Sequence, residues 1–589
     1  MSKDRKGPNK LYAYALLLLT AFSFRIAVAR LLPNDAPDDG RVYDQIARNV
    51  LERHVYSHDS EPPYSPSLIR MPGYPLALAG VYSVTAPHGK TAARIVQALL
   101  DTATCGLVAL IAYFWEPDEK QKRRSSLAAL ALAALCPFTV IYVGTILTET
   151  PTMFFAVAMS LTATLALKST SQGKTFWLWV VTGLLAGTAV LFRPDSGLFA
   201  LAIGLTLVFA MLTRPSDMKL TKRREELLYR TARTSYLGAV FSLAFCLVLV
   251  PWTIRNYRVF HFFQPLSPAH AEMPGEFVPR GYLTWVRTWI DDGRYIGPAI
   301  WSLDAIPIKL TSFPDRAFDS ADEKQRVGAL LEKYNHPVDE PGLFVEPNSQ
   351  APKPTTPAEA NRETESAVPR DQSSPGAESS PTGDDAEKAD EAGKTDGDEE
   401  NADGDDEGEG DEGDDGDEDA AADQAQDQAV EMTPEIDAGF AQIARARIQR
   451  HPVRYYVVLP LKRARSLWFD THSDYYPFQG ELLPLADLDY DIHQQFWLPL
   501  FAGLTLVYTL LGIAGGWFLW RTRDPVARQW LLMSALLIFL RLGFFSSMEN
   551  PESRYVVEFF PFLSILGGIA LVRIGGWLTK RKEVRIADG

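Results

Sequence analysis

Long apolar stretches alternate with polar segments along almost the whole of this 589-residue chain. A bilayer core about 30 Å thick requires roughly 20 apolar residues per helix, and about ten stretches reach that length. They cover residues 11–32, 92–115, 127–147, 150–168, 175–192, 195–213, 235–254, 495–520, 529–547 and 556–578. The first lacks a small-residue cleavage site before the polar stretch that follows, so we expect a retained anchor. The pattern predicts an all-α polytopic membrane protein.

Lysine and arginine residues between the predicted spans indicate the topology, because cytoplasmic loops are enriched in them. Every second loop is basic when the N-terminus is taken as cytoplasmic. These basic loops lie near residues 120–124, 168–174, 219–233, 521–528 and 580–585. We therefore predict an inner (plasma) membrane protein with both termini cytoplasmic. Three segments then face outward, namely 33–90, 255–494 and 546–555.

Periodicity and composition divide the outer segments further. In the first outer loop, 33–90, apolar side chains at helical spacing from Tyr43 to Leu51 predict an amphipathic helix along the membrane surface. Two more amphipathic helices are predicted at 434–450 and 452–469. The predicted regions are thus 1–350, a disordered insert at 351–430, outer-face helices at 431–494, and C-terminal membrane helices at 495–589.

Negative charge is concentrated in the insert. It holds 28 Asp and Glu but five Lys and Arg, a net charge of −23, whereas the whole chain carries −15, so the remainder is basic by 8 charges. A segment with so few apolar residues cannot bury enough surface to fold. We interpret it as a solvated spacer. Calcium binding is the alternative, although the Asp spacing does not match an EF-hand loop. No feature indicates a nucleic-acid partner.

Acidic side chains lie at two outer helix ends. Asp38 and Asp39 follow the first span, and a carboxylate at the mouth of a membrane cavity can act as a general base toward an acceptor hydroxyl. The alternative for Asp39 is a helix N-cap. Glu149 is costly at membrane depth unless it has a partner or faces a watery cavity, so we interpret it as functional. Its alternative role is that of a helix-start residue.

Arginines at outer helix ends oppose the positive-inside bias and need another explanation. They occur in three pairs of residues, Arg193 with Asp195, Arg255 with Asn256, and Arg554 with Tyr555. Guanidinium groups match phosphate oxygens in geometry and charge, so we predict a phosphate or pyrophosphate site. For the first pair, a bond between its own two members is the alternative.

Several common kinds of site have no signature in the sequence. The histidines form no HxxxH or HxH pair, so we expect no zinc site. The three cysteines lie in apolar runs, so we expect neither a disulfide nor a thiolate metal site. There is no Walker loop, no GxGxxG after a strand and no GxSxG. We predict no metal, no cofactor and no soluble nucleotide-binding domain.

Seven short stretches resemble, in order, those of the GT-C superfamily of membrane glycosyltransferases, in the branch of protein O-mannosyltransferases and the lipid A aminoarabinose transferase. They are 39–49 (DGRVYDQIARN), 70–76 (RMPGYPL), 147–150 (LTET), 192–195 (FRPD), 251–256 (PWTIRN), 282–289 (YLTWVRTW) and 552–555 (ESRY). The resemblance extends over nearly the whole chain except the acidic insert. It implies a GT-C-like bundle of about ten membrane helices, with catalysis in region 1–350.

The resemblance also implies an activity and roles for residues. The activity is inverting transfer of a sugar from a polyprenyl-phosphate donor to an envelope lipid, glycan or protein, outside the membrane, where nucleotide sugars are lacking. Asp39 or Asp38 is then the base, Glu149 the second acid, and Arg255 and Arg554 bind the donor phosphate. Further candidates for substrate binding are Tyr43, Arg70, Arg193, Asp195, Asn256 and Tyr555. Many relatives carry an Asp-Glu pair in the first loop, so the Asp-Asp pair here leaves two candidates for the base.

Two other classes of function fit parts of the sequence. A transporter or flippase of lipid-linked sugars would carry internal repeats and broken helices near the midplane, and the sequence has no repeat. A non-catalytic scaffold would explain the acidic insert but not Glu149 or the outward arginines. Replacing Asp39 by Asn separates the three classes, because only catalysis requires a base.

Overall fold

The computed structural model describes residues 9–36, 39–213, 223–268, 272–273, 275–337, 430–478, 492–522 and 524–587. Within these ranges the protein is helical and forms no strand beyond an isolated parallel bridge between Asn34 and Thr145. The predicted all-α polytopic fold is confirmed. Asp38 and the acidic insert up to residue 429 lie outside the described residues.

The described helices follow one another from the first apolar stretch to the last. They are α1 (Asn9–Leu31), α2 (Asp39–Arg53), α3 (Gly73–Thr85), α4 (Gly89–Trp115), α5 (Lys122–Ala134), α6 (Pro137–Gly144), α7 (Glu149–Lys168), α8 (Gln172–Phe192), α9 (Gly197–Thr213), α10 (Arg223–Phe260), α11 (Arg280–Arg287), α12 (Ala321–Asn335), α13 (Pro434–Arg450), α14 (Leu459–Phe469), α15 (Ile492–Arg521), α16 (Pro525–Ser546) and α17 (Phe559–Ala587). Within the described chain, nine are long and apolar enough to cross a membrane, with α9 extended by the turn Pro194–Ser196. These nine are α1, α4, α7, α8, α9, α10, α15, α16 and α17.

The tenth predicted span, 127–147, is broken. Helices α5 and α6 meet at an angle of 50° and together can form one crossing. Pro137 begins α6 and has no amide hydrogen to continue the preceding helix. Arg25 of α1 donates to the carbonyl of Ala134, the last residue of α5, at 2.9 Å, and to the Asp101 carboxylate at 2.7 Å. A side chain of another membrane helix, Arg25 of α1, therefore bonds to the backbone at the break.

Helix α10 is longer than the predicted span at 235–254. Its 38 residues extend over about 57 Å at 1.5 Å per residue, well beyond a hydrocarbon core of about 30 Å. The helix therefore projects from the membrane and carries Arg255 and Asn256 beyond the predicted span.

The helices that do not span the membrane form two groups. Helix α2, predicted from the first-loop pattern, buries Ile46 and Ala47 and packs with α3 against the membrane bundle. Helices α11, α12 and α13 enclose a separate aromatic core. Its aromatic members include Tyr282, Trp285, Trp289, Phe313 and Phe440. The predicted helix at 434–450 is α13, and the one at 452–469 is a π-helical turn at Arg454–Val458 followed by α14.

Candidate active site

The start of the first outer loop is attached to the segment that leads to Glu149. The Asn34 amide donates to the Gly144 carbonyl at 2.9 Å, and the Ile146 amide donates to the Asn34 carbonyl at 3.2 Å. A few residues later, Asp39 begins α2 and Glu149 begins α7. Two acids far apart in sequence are thus brought to neighbouring helix starts.

The Asp39 carboxylate lies between two guanidinium groups. One oxygen accepts a hydrogen bond from Arg70 Nη2 at 2.8 Å, and the other lies 3.0 Å from Arg554 Nη1. Burial acts to raise the pKa of Asp39, but Arg554 and Arg70 outweigh burial and hold this pKa below its ordinary value. Asp39 is therefore ionised at neutral pH, which is the form that a general base requires.

Two tyrosines surround Arg70. Its guanidinium lies 5.9 Å from the centre of the Tyr43 ring, and its carbonyl accepts a hydrogen bond from the Tyr56 hydroxyl at 3.0 Å. Burial raises the pKa of Tyr43 to about 12, so its hydroxyl remains a neutral donor. Tyr43 lies within electrostatic reach of both Asp39 and Glu149.

Glu149 is buried and paired with Arg193. Its Oε1 accepts from Arg193 Nη1 at 3.0 Å, whereas its Oε2 accepts no hydrogen bond from any residue the structure describes. Arg193 also donates through Nε to Asp195 at 3.1 Å, and its guanidinium lies 5.5 Å from the centre of the Tyr555 ring. Glu149 is within electrostatic reach of Arg554 and of Asp39 as well. Arg193 thus bonds to the neighbouring Asp195 and also to the candidate second acid.

Two fully buried residues that sequence reasoning missed extend this network. Arg541 of α16 pairs with Asp195 and donates through Nη2 to Glu558 at 2.9 Å. Glu558, immediately before α17, also lies 3.6 Å from Arg193. Both residues fall inside predicted spans, where an ionisable side chain is costly and by default a functional candidate. That signal was present in the sequence.

The 3-10 turn Ser553–Val556 carries Arg554 and Tyr555. Besides the first-loop acid, Arg554 pairs with Glu552 and donates to the Tyr475 hydroxyl at 3.1 Å. The Tyr555 hydroxyl donates to Glu552 at 2.8 Å. Both side chains of this turn therefore have defined partners at the outer end of the bundle.

A buried segment that sequence reasoning also missed packs against this turn. The Asp474 carboxylate accepts a hydrogen bond from the Ser553 hydroxyl at 2.8 Å. Burial, with the nearby Asp470 carboxylate, raises the pKa of Asp474 to about 6. Burial also lowers the pKa of the neighbouring His472. Asp474 is therefore protonated at a higher pH than an exposed aspartate.

Arg255 and Asn256 are bonded to loops next to the end of α10. Arg255 donates to the Ser67 carbonyl at 2.8 Å, and its guanidinium lies 5.3 Å from the centre of the Tyr56 ring. Asn256 donates to the Gln264 carbonyl at 2.7 Å. A cavity of about 840 Å³ adjoins them and is lined by apolar and charged residues that include Leu68, Gln264, Glu272, Phe277 and Arg280. This volume is typical of small-ligand sites.

The structure brings together most of the predicted site residues. One contiguous set of contacts joins Asp39, Tyr43, Arg70, Glu149, Arg193, Asp195, Arg554 and Tyr555. In the described chain Arg255 forms no ion pair with these acids. It reaches the set through Tyr56, which contacts both Arg255 and Arg70. Among the described residues, no group of three or more His, Cys, Asp or Glu side chains is arranged to hold a metal ion.

Comparison with known proteins gives a family match for the first part of the chain. Residues 17–266 match the family model of dolichyl-phosphate-mannose-protein mannosyltransferases, a GT-C superfamily family. No curated protein and no solved structure matches the chain. The predicted resemblance is therefore confirmed over this range, which contains Asp39, Glu149 and Arg255 but not Arg554. The match and the nine long apolar helices of the described chain together indicate a multi-pass membrane protein that is similar to this family of glycosyltransferases over residues 17–266.

Proposed function

From the family match over residues 17–266 and the geometry of the site, we propose that the chain catalyses inverting sugar transfer on the extracytoplasmic face of the inner membrane. The donor is a polyprenyl-phosphate sugar, and the acceptor is a hydroxyl of an envelope lipid, glycan or protein. Asp39 is the general base, and Asp38 is the other candidate in the same loop. Region 1–350 carries the catalysis, 351–430 is a spacer, 431–494 supplies outer-face helices, and 495–589 completes the bundle.

One observation carries the proposal: an ionised carboxylate, Asp39, lies within 2.8 Å of Arg70 and 3.0 Å of Arg554. A base for the acceptor hydroxyl is therefore in direct contact with two cations that could bind a phosphate. The second acid, Glu149, is within electrostatic reach of both Asp39 and Arg554. This combination suits transfer from a phosphate-linked donor.

The proposed reaction is a single displacement at the anomeric carbon. Asp39 takes the proton of the acceptor hydroxyl as the hydroxyl oxygen bonds to that carbon. The bond between the carbon and the phosphate oxygen breaks, and its electron pair leaves with the polyprenyl phosphate. Attack from the side opposite the leaving group inverts the anomeric configuration. The phosphate gains one negative charge, which positioned guanidinium groups can stabilise.

Three arginines are proposed to bind the donor phosphate. Arg70 has a buried Nε that donates no hydrogen bond within the described residues, so it retains a donor for a phosphate oxygen. Arg554 lies on the other side of Asp39. Arg255 is separated from Arg70 by Tyr56 and lies near the cavity of about 840 Å³, through which we propose that the acceptor approaches. The forked guanidinium suits phosphate better than a lysine does.

The side of the membrane follows from charge. The loops at 120–124 and 521–528 are basic, as is typical of cytoplasmic loops. Helix ends on the other side carry Asp39, Glu149 and Arg554. This distribution supports cytoplasmic termini and an outward-facing site, where a lipid-linked donor is the available source of sugar.

Replacing the base tests the proposal. Membranes containing the wild-type chain are supplied with a panel of radiolabelled polyprenyl-phosphate sugars, and label in the acceptor fraction is measured. Asp39→Asn is expected to lower the rate by about 10² to 10⁴-fold. Asp44→Asn is the matched control, because Asp44 lies on the same helix but bonds to Arg48 and Tyr82. This control is expected to keep its activity.

The outcomes distinguish the classes of function. Label that moves in wild type and in Asp44→Asn but not in Asp39→Asn supports the proposal. Undiminished transfer by folded Asp39→Asn would contradict the assignment of the base. Movement of intact lipid-linked sugar across the membrane, without transfer and without dependence on Asp39, would instead indicate a flippase.

A further inference from the structure

We infer that Arg541 is a positioning residue: it holds the turn Ser553–Val556 so that Arg554 meets Asp39. The inference rests on the proposed role of Asp39 and extends it to a part of the chain beyond the 17–266 family match. The side chain of Arg541 contacts none of the residues that we propose to bind the phosphate. It acts through the backbone of the turn that carries one of them.

The central contact is a hydrogen bond to the backbone. Arg541 Nε donates to the carbonyl of Tyr555, the residue directly after Arg554, at 2.6 Å. A 3-10 turn of four residues makes few hydrogen bonds of its own, and their geometry is poorer than in an α-helix. The direction of the Arg554 side chain therefore depends on what fixes the turn from outside.

Arg541 is itself held by two carboxylates and two aromatic rings. Its Nη2 donates to Glu558 at 2.9 Å, its Nη1 pairs with Asp195, and its guanidinium lies 4.9 Å from the centre of the Phe545 ring and 5.1 Å from that of Phe199. The residue is fully buried within a membrane-spanning helix. A side chain held on a helix by packing and ion pairs is a more precise support than one on a loop.

A solely structural ion pair does not account for all of these contacts. Glu558 alone satisfies the charge of Arg541, and burying a guanidinium in a span is costly even when it is paired. The bond to the Tyr555 carbonyl adds a connection between α16 and the turn. On the other side of the turn, Ser553 bonds to Asp474 at 2.8 Å. The turn is therefore bonded on both sides: Ser553 bonds to Asp474, and the Tyr555 carbonyl bonds to Arg541 of the membrane helix α16.

The expected consequence is a loss of catalytic rate rather than of donor affinity. A displacement of about 1 Å at a reacting group can lower the rate by about 100-fold. Without Arg541, Arg554 keeps its charge and can still attract phosphate, but it no longer orients Asp39. We therefore expect kcat to fall with little change in KM for the donor.

A paired apolar replacement separates positioning from stability. Replacing a buried ion pair by apolar residues of similar size is often neutral for stability, so the variant is Arg541→Met/Glu558→Leu. The matched control is Arg25→Met/Asp101→Leu, because this pair, at 2.7 Å, is equally buried and lies in α1 and α4. The first variant is expected to lose about 100-fold in kcat, and the control is expected to keep its rate.

A third variant tests the contact itself. Arg541→Lys keeps the charge beside Glu558 but replaces the Nε donor that reaches Tyr555. We expect it to keep the thermal stability of the wild type while kcat is low. Full recovery of kcat in Arg541→Lys would overturn the inference, as would equal losses of rate in both paired variants.

Amide hydrogen exchange across residues 553–558, followed by mass spectrometry, gives a readout that needs no sugar transfer. Faster exchange there in Arg541→Met/Glu558→Leu, with wild-type exchange in the Arg25 control, supports the inference even if the proposed donor is wrong. Unchanged exchange in the first variant would overturn it. Failure of the wild-type chain to transfer sugar counts against the proposed function alone, and exchange then decides the role of Arg541.

Discussion

Arg554 is expected to set the ionisation of Asp39, and its replacement by glutamine tests this expectation. Arg554→Gln keeps a side chain of similar reach with hydrogen-bond donors but removes the charge 3.0 Å from the Asp39 carboxylate. Arg70 remains at 2.8 Å. We therefore expect the pKa of Asp39 to rise, with one of its two cations retained.

The size of the effect follows from the distance and the exposure. Two unit charges 3.0 Å apart attract by about 5.5 kcal/mol at an effective dielectric constant of about 20. The side chain of Asp39 is 26% exposed and that of Arg554 15%, so water screens part of this energy. We expect a pKa rise of about 1 to 2 units, equivalent to about 1.4 to 2.7 kcal/mol.

The direction of the pH dependence follows from the lowered pKa of Asp39 in the wild-type chain. The ion pairs of Asp39 contribute to stability above the ordinary Asp pKa of about 3.9, and this contribution is lost as pH falls through the lower folded value. A base must also be ionised to act. In Arg554→Gln, both stability and transfer are expected to decline at a higher pH than in the wild type.

Initial rates of transfer from a labelled donor, measured from acidic to neutral pH, provide the assay. The acid limb of the profile is expected to move upward by about 1 to 2 pH units in Arg554→Gln. Arg554→Lys preserves the charge and is expected to keep the wild-type limb. If the acid limb stays at its wild-type pH while the rate falls equally at every pH, the reasoning is refuted. Arg554 would then serve only to bind the phosphate.

Two further predictions concern other buried ion pairs. Glu149→Gln is expected to lower the transfer rate by about 100-fold, because Arg193 loses the negative charge of the partner that lies 3.0 Å away; a folded variant with the wild-type rate would contradict a functional role for Glu149. Arg447→Met is expected to destabilise the outer helices by about 3 kcal/mol, because Arg447 pairs with the carboxylates of Glu323 and Asp319 in a buried site. Thermal unfolding measures this loss, and an unchanged melting temperature would contradict it.

The membrane helices could be predicted because the bilayer demands long apolar runs with internally satisfied backbones. Hydropathy does not report how a run bends, so 127–147 was predicted as a single span with no break. The break depends on Pro137 and on Arg25, which bonds to the carbonyl of Ala134. The sequence does not indicate that an arginine of the first span reaches this point.

The site could be predicted in parts but not as an assembly. Asp39, Glu149 and Arg554 were each singled out because an ionisable residue at an outer helix end requires an explanation. Their partners come from distant spans, so no local pattern indicates that Arg554 meets Asp39. Arg541 was missed for a different reason: averaging over an apolar window hides one charge among many hydrophobic neighbours.

The hydrogen bonds that join Asn34 to Gly144 and Ile146 also fix distances along the chain. From this shared origin, a set number of residues leads to Asp39 in one direction and to Glu149 in the other. Adding or removing one residue in either interval changes the length of chain between this origin and the acid, and is expected to displace the acid from its cation, while every membrane helix keeps its composition. The length of these two short connectors is therefore expected to matter for the site as well as the identity of its residues.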